Sequence, residues 1–217
     1  MLPIRAILFD ADGVLQHSRG DDLSALLERI LGSAPANIDV FAREVFEAER
    51  PAAIGQADFA EQLLPLVAPW GGRGVPDKDI ADKLAAEWWC SIEVDEPLLA
   101  LVGSLRQHGW LCVLASNQQR YRARYMAEAL GYAALFDRCF YSYEVGALKT
   151  EARYFEAVVA QLGLSPQQRL FIDDAEKNVA VARSAGLHAA SFVHPRNGSS
   201  RDAMLGLLAQ FSVHLPG

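Results

Sequence analysis

Cysteine is scarce in this chain, which has three among its 217 residues, Cys90, Cys112 and Cys139. No two of them form the Cys-x-x-Cys pair that is typical of a zinc site, and an odd, sparse set does not build a disulfide framework. Cys112 and Cys139 lie in apolar stretches that are typical of strands, so we expect buried free thiols there.

Positive charge and long apolar runs are also in short supply. The chain has 20 Lys and Arg residues against 27 Asp and Glu, a net charge of −7, which disfavours nucleic acid as a partner because phosphate backbones select basic surfaces. A small anionic substrate is not excluded, since a bound metal ion can reverse the local charge. No apolar run is long enough to span a bilayer, and the N-terminal segment lacks the basic region and cleavage site of a signal peptide. We therefore expect a cytoplasmic protein, a monomer or a homodimer, that binds neither nucleic acid nor membranes.

What the chain does have is an alternation of short apolar runs and amphipathic stretches. Hydrophobic residues make up 51% of the sequence, which is enough to build a sizeable core. The apolar runs predict five strands, at residues 4–9, 110–115, 139–142, 170–172 and 189–193. The amphipathic stretches predict helices at residues 96–107, 119–130, 151–162, 176–185 and 201–210. This alternation predicts an α/β fold, a doubly wound parallel sheet with helices on both faces.

One long segment interrupts the alternation. Between residues 20 and 89 the sequence shows helical patterns at 22–31, 39–49, 57–67 and 77–89, separated by prolines and glycines. We predict an all-helical cap domain inserted after the first strand, at residues 17–94. Residues 1–16 and 95–217 then form the Rossmann-like core, with hinges near residues 16–20 and 90–97.

Polar side chains follow several of the predicted strands. Asp10 and Asp12 come directly after the first strand, Ser116-Asn117 after the strand at 110–115, and Asp173-Asp174 after the strand at 170–172. Lys149 lies in the loop that follows the strand at 139–142. Ligands of doubly wound sheets bind beyond the carboxyl ends of the strands, so we expect these groups to converge. Unpaired carboxylates are costly to bury, which favours a cation between them.

Four segments, in this order, resemble the motifs of the haloacid dehalogenase (HAD) superfamily. They are Phe9-Asp10-Ala11-Asp12-Gly13-Val14-Leu15, Leu114-Ala115-Ser116-Asn117, Gly146-Ala147-Leu148-Lys149 and residues 171–186, which begin Phe171-Ile172-Asp173-Asp174. Each segment alone is typical of a turn, a helix cap or a solvated loop, and their order carries the resemblance. The helical insertion lies where phosphatases of this superfamily have a C1-type cap. The resemblance implies a phosphatase with Mg²⁺ as its cofactor and a small phosphorylated metabolite as its substrate.

The resemblance also implies a role for each acidic residue. Asp10 is the nucleophile that forms an aspartyl-phosphate. Asp12 is the general acid–base that protonates the leaving alcohol and then activates water. The Mg²⁺ ligands are the carboxylates of Asp10 and Asp174 and the backbone carbonyl of Asp12, with Asp173 binding directly or through a water.

The remaining motif residues are implied to bind the phosphoryl group. Ser116 and Asn117 bind its oxygens together with nearby backbone N–H groups, and Lys149 supplies a compact positive charge. Asn178 is expected to orient a neighbouring group.

Two positions depart from the family pattern. Thr150 stands where proline usually follows the lysine, and Ala175 stands where serine often follows the paired acids. We expect a looser loop around Lys149 and one hydrogen bond fewer near the acids, but no loss of a catalytic group.

Three alternatives stay open at this point. A phosphomutase of the β-phosphoglucomutase type would use the same core motifs, and a non-catalytic protein could keep the fold and a metal site. A haloacid dehalogenase is disfavoured, because halide release needs no proton donor and that branch replaces the second acid of the first motif, which this chain keeps as Asp12.

Substrate contacts are expected from the cap and its hinges. The candidates are His17, Arg50 and Gln56, with a solvated loop as an equal alternative for His17. Residues 48–59 faintly resemble the cap region of sugar-phosphate phosphatases, which points to a sugar phosphate. Trp70 and Trp89 are expected to pack within the cap.

Three arginines follow the second motif in a helical stretch. They are Arg120, Arg122 and Arg124. We interpret them as a solvated helix face rather than as a clamp for phosphate.

Overall fold

A parallel five-stranded sheet forms the centre of the computed structural model, which describes residues 2–19, 23–70 and 77–215. The described residues form strands β1 (Ala6–Phe9), β2 (Gln16–Ser18), β3 (Ile92–Val94), β4 (Leu111–Ser116), β5 (Arg138–Tyr141), β6 (Arg169–Asp173) and β7 (His188–Ser191). The order in the large sheet is β5-β4-β1-β6-β7, and every neighbouring pair is parallel. The predicted α/β fold and its five core strands are confirmed.

Eleven α-helices accompany the strands in the described part of the chain. They are α1 (Leu23–Leu31), α2 (Ile38–Ala52), α3 (Phe59–Val67), α4 (Asp77–Trp89), α5 (Glu96–Gln107), α6 (Arg120–Glu128), α7 (Tyr132–Leu135), α8 (Ser142–Val145), α9 (Ala152–Leu162), α10 (Glu176–Ser184) and α11 (Ser200–Ala209). None of the helices described is both long and apolar enough to cross a membrane.

The central strand β1 is apolar because both of its faces are covered. Ile7 and Phe9 point into a core cluster that includes residues of α5 and α11. Ala6 and Leu8 point to the opposite face, into a cluster with residues of α9 and α10. Alternate side chains of a strand face opposite sides, so a continuous apolar run is what a sheet with two covered faces requires.

The four helices between β2 and β3 have a hydrophobic cluster of their own, built from all of α1–α4. Helix α2 begins after the N-cap Asn37 and α3 after the N-cap Asp58, whose side chains accept hydrogen bonds from backbone N–H groups. Helix α2 ends at Ala52, three residues later than the sequence predicts, because Pro51 is accommodated in its last turn. The assignment of residues 17–94 to a cap stays a prediction, and Asp22, at the start of the predicted first helix, lies outside the described residues.

The hinge segments contain an element that the sequence did not indicate. Strands β2 and β3 pair antiparallel, with Gln16 opposite Val94 and Ser18 opposite Ile92. Three-residue strands are too short to show a periodic pattern, so the ribbon was not predictable from hydropathy. In this ribbon, the strand that leads from β1 into the helical segment pairs with the strand that leads from the helical segment back to the core.

The helical segment is docked on the core near the carboxyl ends of the strands. The Ser142 hydroxyl contacts the Ala53 carbonyl oxygen at 2.5 Å, and the Tyr121 hydroxyl donates to the Asp58 carboxylate at 3.0 Å. A Cβ atom added at Gly55 would overlap the carbonyl oxygen of Tyr143. The loop after α2 therefore packs tightly against α8.

Replacing Gly55 with alanine tests this docking contact. Gly55 and Gly131 both have positive φ, of 70° and 73°, but a Cβ at Gly131 meets nothing within 4 Å. We expect Gly131→Ala to lower the free energy of unfolding by about 1–2 kcal/mol from backbone strain alone. Gly55→Ala should cost about 1–3 kcal/mol more because of the added overlap. Urea denaturation measures both, and equal losses would contradict the close packing of this loop.

Candidate active site

The polar groups that follow β1, β4 and β6 meet at the middle of the sheet edge. Phe9, the last residue of β1, is in register with Leu114 of β4 and Ile172 of β6. The Asp10 N–H donates to the Ile172 carbonyl at 2.9 Å, which extends the pairing by one residue. This edge is the topological switch point of the doubly wound sheet, where ligands bind in such folds.

A buried lysine joins two of the aspartates. The Lys149 Nζ lies 2.5 Å from Oδ1 of Asp10 and 2.7 Å from Oδ2 of Asp173, and the three residues are 2%, 4% and 0% exposed. Burial opposes the charge on Lys149, but the two carboxylates outweigh it and raise the pKa of Lys149. Burial raises the pKa of Asp10, and the Lys149 charge opposes that rise. One ammonium thus compensates two buried carboxylates only in part.

The loop that carries Lys149 is fixed by side chains rather than by the proline that the family pattern leads one to expect. The Lys149 N–H donates to Oδ1 of Asn117 at 2.9 Å, and the Leu148 N–H donates to Oε1 of Glu151 at 3.0 Å. These bonds tie the loop to the end of β4 and to the start of α9. Thr150 therefore does not leave the lysine without support.

Asp173 is held by a full set of donors. Asn178 Nδ2 lies 3.1 Å from both carboxylate oxygens, and the Ala175 N–H donates to Oδ1 at 2.8 Å. Together with Lys149, these bonds engage both oxygens of Asp173. Asn178 thus orients Asp173, and the backbone N–H of Ala175 donates to the same carboxylate although the usual serine is absent.

Three carboxylates form a cluster that suits a hard divalent cation. Oxygens of Asp10, Asp173 and Asp174 lie within 4.8 Å of one another. With Lys149 they leave two uncompensated negative charges, which a divalent ion would neutralise. Gly13 has φ of 79°, and a Cβ there would overlap the Asp174 carboxylate, so a glycine is needed for Asp174 to approach. Oxygen donors of this kind are those that Mg²⁺ prefers, and the residues fit such an ion.

Asp12 is bound by an arginine that the sequence interpretation had assigned to a solvated surface. Arg122 Nη1 donates to Oδ2 of Asp12 at 2.5 Å, and Nη2 donates to Oδ1 at 2.7 Å. Burial raises the pKa of Asp12, but Arg122, with Gln16 and Gln118, outweighs it and holds the pKa below its ordinary value. The solvated interpretation is wrong for Arg122 because α6 starts four residues after β4 ends, at the same sheet edge as Asp12. Arg124, on the same helix, is exposed as expected.

Two buried amides complete the surroundings of Asp12. Gln16 Nε2 donates to Oδ1 at 3.0 Å, and Gln118 Nε2 donates to Oδ2 at 2.7 Å and to the Ser116 hydroxyl at 3.0 Å. The Tyr132 hydroxyl donates to Oε1 of Gln16 at 2.9 Å. Sequence reasoning missed these residues because glutamine has no titratable group and no characteristic spacing here.

Among the described residues, no hydrogen bond or ion pair joins the predicted substrate contacts His17, Arg50 and Gln56 to Asp10. The ring of His17 lies 4.4 Å from the ring of His194, against the segment after β7. Arg50 and Gln56 are exposed. Arg50 lies close enough to Glu151 to contribute to the lowering of its pKa. Their role in substrate binding stays a prediction.

Trp70 and Trp89 lie where their packing role was expected. Trp70 packs on Phe41 with ring centroids 5.6 Å apart, and Trp89 packs on Phe59 at 4.9 Å. The backbone of Trp89 has a further contact, because its carbonyl accepts a hydrogen bond from Arg122 Nε at 2.7 Å.

The chain has a doubly wound sheet, a helical insertion after β1, and a cluster of carboxylates at the switch point that suits a divalent cation. These features are typical of an α/β enzyme core. The model of one family, described as haloacid dehalogenase-like hydrolase, matches residues 4–186. The chain belongs to this family of hydrolases.

Similar proteins fall into the same group. A phosphatase of Mycobacterium tuberculosis is 31% identical over 105 residues, about half the length of each chain (48% and 48%). The phosphoglycolate phosphatase of Rhodospirillum rubrum is 26% identical over 95% of this chain and 86% of its own. A HAD family enzyme of Bacteroides thetaiotaomicron, solved in complex with magnesium and inorganic phosphate, superposes with a TM-score of 0.70 at 21% identity, over 90% of this chain and 96% of that one.

Removing the buried lysine tests the charge balance of the cluster. Lys149→Met leaves Asp10 and Asp173 buried without their cation, so we expect a loss of about 3 kcal/mol in the free energy of unfolding without divalent metal. Lys177→Met, at an exposed lysine, is the matched control and should cost less than about 0.5 kcal/mol. Urea denaturation in the presence of a chelator gives both values, and similar stabilities of the two variants would contradict the described cluster.

Proposed function

We propose that this protein is a Mg²⁺-dependent phosphatase that hydrolyses a small phosphomonoester through an aspartyl-phosphate on Asp10. The observation that carries the proposal is the buried contact of Asp10 with Lys149 beside the acidic cluster, at the switch point of the sheet. A carboxylate in this place is held for attack by a fixed positive charge. Phosphoryl transfer demands little of a protein beyond such positioning and charge neutralisation.

In the first step an oxygen of Asp10 attacks phosphorus, and the bond from phosphorus to the ester oxygen breaks. Lys149 balances the charge on the transferring group, and the Ser116 hydroxyl and the Asn117 side chain lie beside it at the end of β4. Asn117 also holds the backbone of Lys149, so one residue positions both the phosphate site and the cation.

The metal ion would be held by the carboxylates of Asp10 and Asp174 and by the backbone carbonyl of Asp12. Because Asp173 already accepts bonds from Lys149, Asn178 and Ala175, we propose that it contacts the ion through a water. When bound, Mg²⁺ neutralises the phosphate charge that would otherwise repel the Asp10 carboxylate.

Asp12 transfers the protons. It gives a proton to the leaving oxygen in the first step, and in the second it takes one from the water that attacks phosphorus and releases Asp10. In this structure the contact with Arg122 holds the pKa of Asp12 below its ordinary value, so Asp12 is a carboxylate. The carboxylate is the state that activates water. The donor role requires the Arg122 contact to loosen when substrate is bound.

The helical segment, residues 17–94, is proposed to act as the cap that covers this site and excludes bulk water. Its docked position over α8 and the β2–β3 ribbon at its base support this role. The names of the relatives, a phosphatase and a phosphoglycolate phosphatase, support a small phosphorylated metabolite as substrate. The preference for a sugar phosphate, the cytoplasmic location and the oligomeric state stay predictions.

Hydrolysis of an aryl phosphate with and without Mg²⁺ tests the proposal. We expect turnover that needs the metal, and a loss of at least about 1,000-fold in kcat for Asp10→Asn, since an amide oxygen is a poor nucleophile. Asp202→Asn, at an exposed aspartate in the first turn of α11, is the control and should keep wild-type activity.

The same assay separates the alternatives. A phosphatase releases inorganic phosphate from a sugar phosphate, whereas a mutase returns an isomerised sugar phosphate. Full activity without metal, or an unaffected Asp10→Asn variant, would contradict the mechanism. No turnover across a broad panel of phosphomonoesters would favour the non-catalytic alternative.

A further inference from the structure

The guanidinium of Arg122 lies between Asp12 and the end of α4 in the helical segment. Its two Nη atoms hold Asp12, the proposed proton donor to the leaving oxygen. Its Nε atom holds the Trp89 carbonyl at 2.7 Å, at the last residue of α4. A leaving group bound between Asp12 and the helical segment therefore contacts Arg122.

Both carboxylate oxygens of Asp12 are already occupied. Oδ1 accepts from Gln16 and Arg122, and Oδ2 accepts from Gln118 and Arg122. The leaving oxygen can reach Asp12 only if one donor moves away. Gln16 and Gln118 are 0% and 1% exposed, whereas the Arg122 side chain is 14% exposed, so Arg122 is the donor that we expect to move.

An anion on the substrate is the group best able to draw Arg122 away. The planar guanidinium matches a carboxylate in a two-bond, charge-assisted arrangement, which is the arrangement it now has with Asp12. A carboxylate on the leaving group could take over this fork while the Nε bond to Trp89 persists. A hydroxyl would offer one neutral acceptor and could not offset the ion pair that it breaks.

A small cavity lies beside Arg122, between the helical segment and the β2–β3 ribbon. A cavity of about 150 Å³ is lined by Ser18, Phe46, Trp88, Trp89, Ser91 and Arg122. At roughly 30 Å³ for each water molecule, this volume corresponds to about five waters. A leaving group of a few heavy atoms has a comparable volume.

Glu49 of α2 is a charged residue of the helical segment that lies close enough to Arg122 and Asp12 for its pKa to respond to both. Burial raises the pKa of Glu49 to about 7. A hydrogen bond with the Trp89 side chain opposes this rise in pKa.

We propose that Arg122 is a specificity-determining residue, and that it selects phosphate esters of short hydroxy acids by binding their carboxylate. The inference rests on the proposed phosphatase function and adds to it the class of leaving group. Arg122 acts both as the receptor for that carboxylate and as the group whose departure opens Asp12 to the leaving oxygen.

The test compares kcat/KM for two esters of nearly equal shape, the phosphate esters of glycolic acid and of glycolamide. We expect the wild-type enzyme to favour the acid by about 10- to 100-fold, the range that a charge-assisted pair supplies. In Arg122→Met the two values should agree within about threefold. Arg124→Met, at an exposed arginine of the same helix, should keep the wild-type ratio.

Equal use of the two esters by the wild-type enzyme would overturn the inference, as would a preference that survives in Arg122→Met. Absence of hydrolysis of any phosphomonoester by the wild type would instead contradict the proposed function, and the inference would fall with it.

A binding measurement decides the question if Arg122→Met does not fold. Asp10→Asn and Asp10→Asn/Arg122→Lys are compared for their dissociation constants with the two esters, which needs no turnover. Lysine keeps the charge but loses the fork, so the preference for the acid should fall by about tenfold. An unchanged preference would overturn the inference.

Discussion

The ion contact between Lys149 and the aspartates Asp10 and Asp173 is the constraint on which the site depends. It joins the ends of β1 and β6 to the loop after α8, three segments that are distant in sequence. Buried charges of this kind are stable only when they are compensated. The excess negative charge of the cluster suits a divalent cation. With that cation and Lys149 in place, the local charge would no longer be negative, and an anionic substrate could bind although the protein as a whole is acidic.

A second ion contact, between Asp12 and Arg122, connects this chemistry to the helical segment. Asp12 lies two residues after the proposed nucleophile, and Arg122 also holds the backbone of Trp89 at the end of α4. Arg122 thus links the proposed proton-transfer group to the proposed cap. In the proposed mechanism the two charged pairs have separate roles, because Lys149 serves the phosphoryl group and Arg122 the group that leaves.

The sequence predicted the core well because each core strand contains apolar residues that are largely buried. Asp10, Ser116 and Asp173 could be placed together from strand ends alone. The β2–β3 ribbon is too short for a periodic signal. The role of Arg122 was not predicted, because its neighbours Arg120 and Arg124 suggest a uniformly charged helix face. Only the position of α6 at the sheet edge distinguishes Arg122 from these two arginines. Gln16 and Gln118 have no sequence signal, since their importance comes from burial beside Asp12.

The central claim is that Asp10 becomes phosphorylated during turnover, and it is tested most directly by mass spectrometry of the quenched enzyme. Protein mixed with Mg²⁺ and a substrate ester is stopped with acid within one turnover, digested and sequenced. The account predicts one phosphoryl group on the peptide that contains Asp10, attached to that side chain, and none when the metal is chelated. A phosphoryl group on another residue, or turnover with no covalent intermediate, would contradict it.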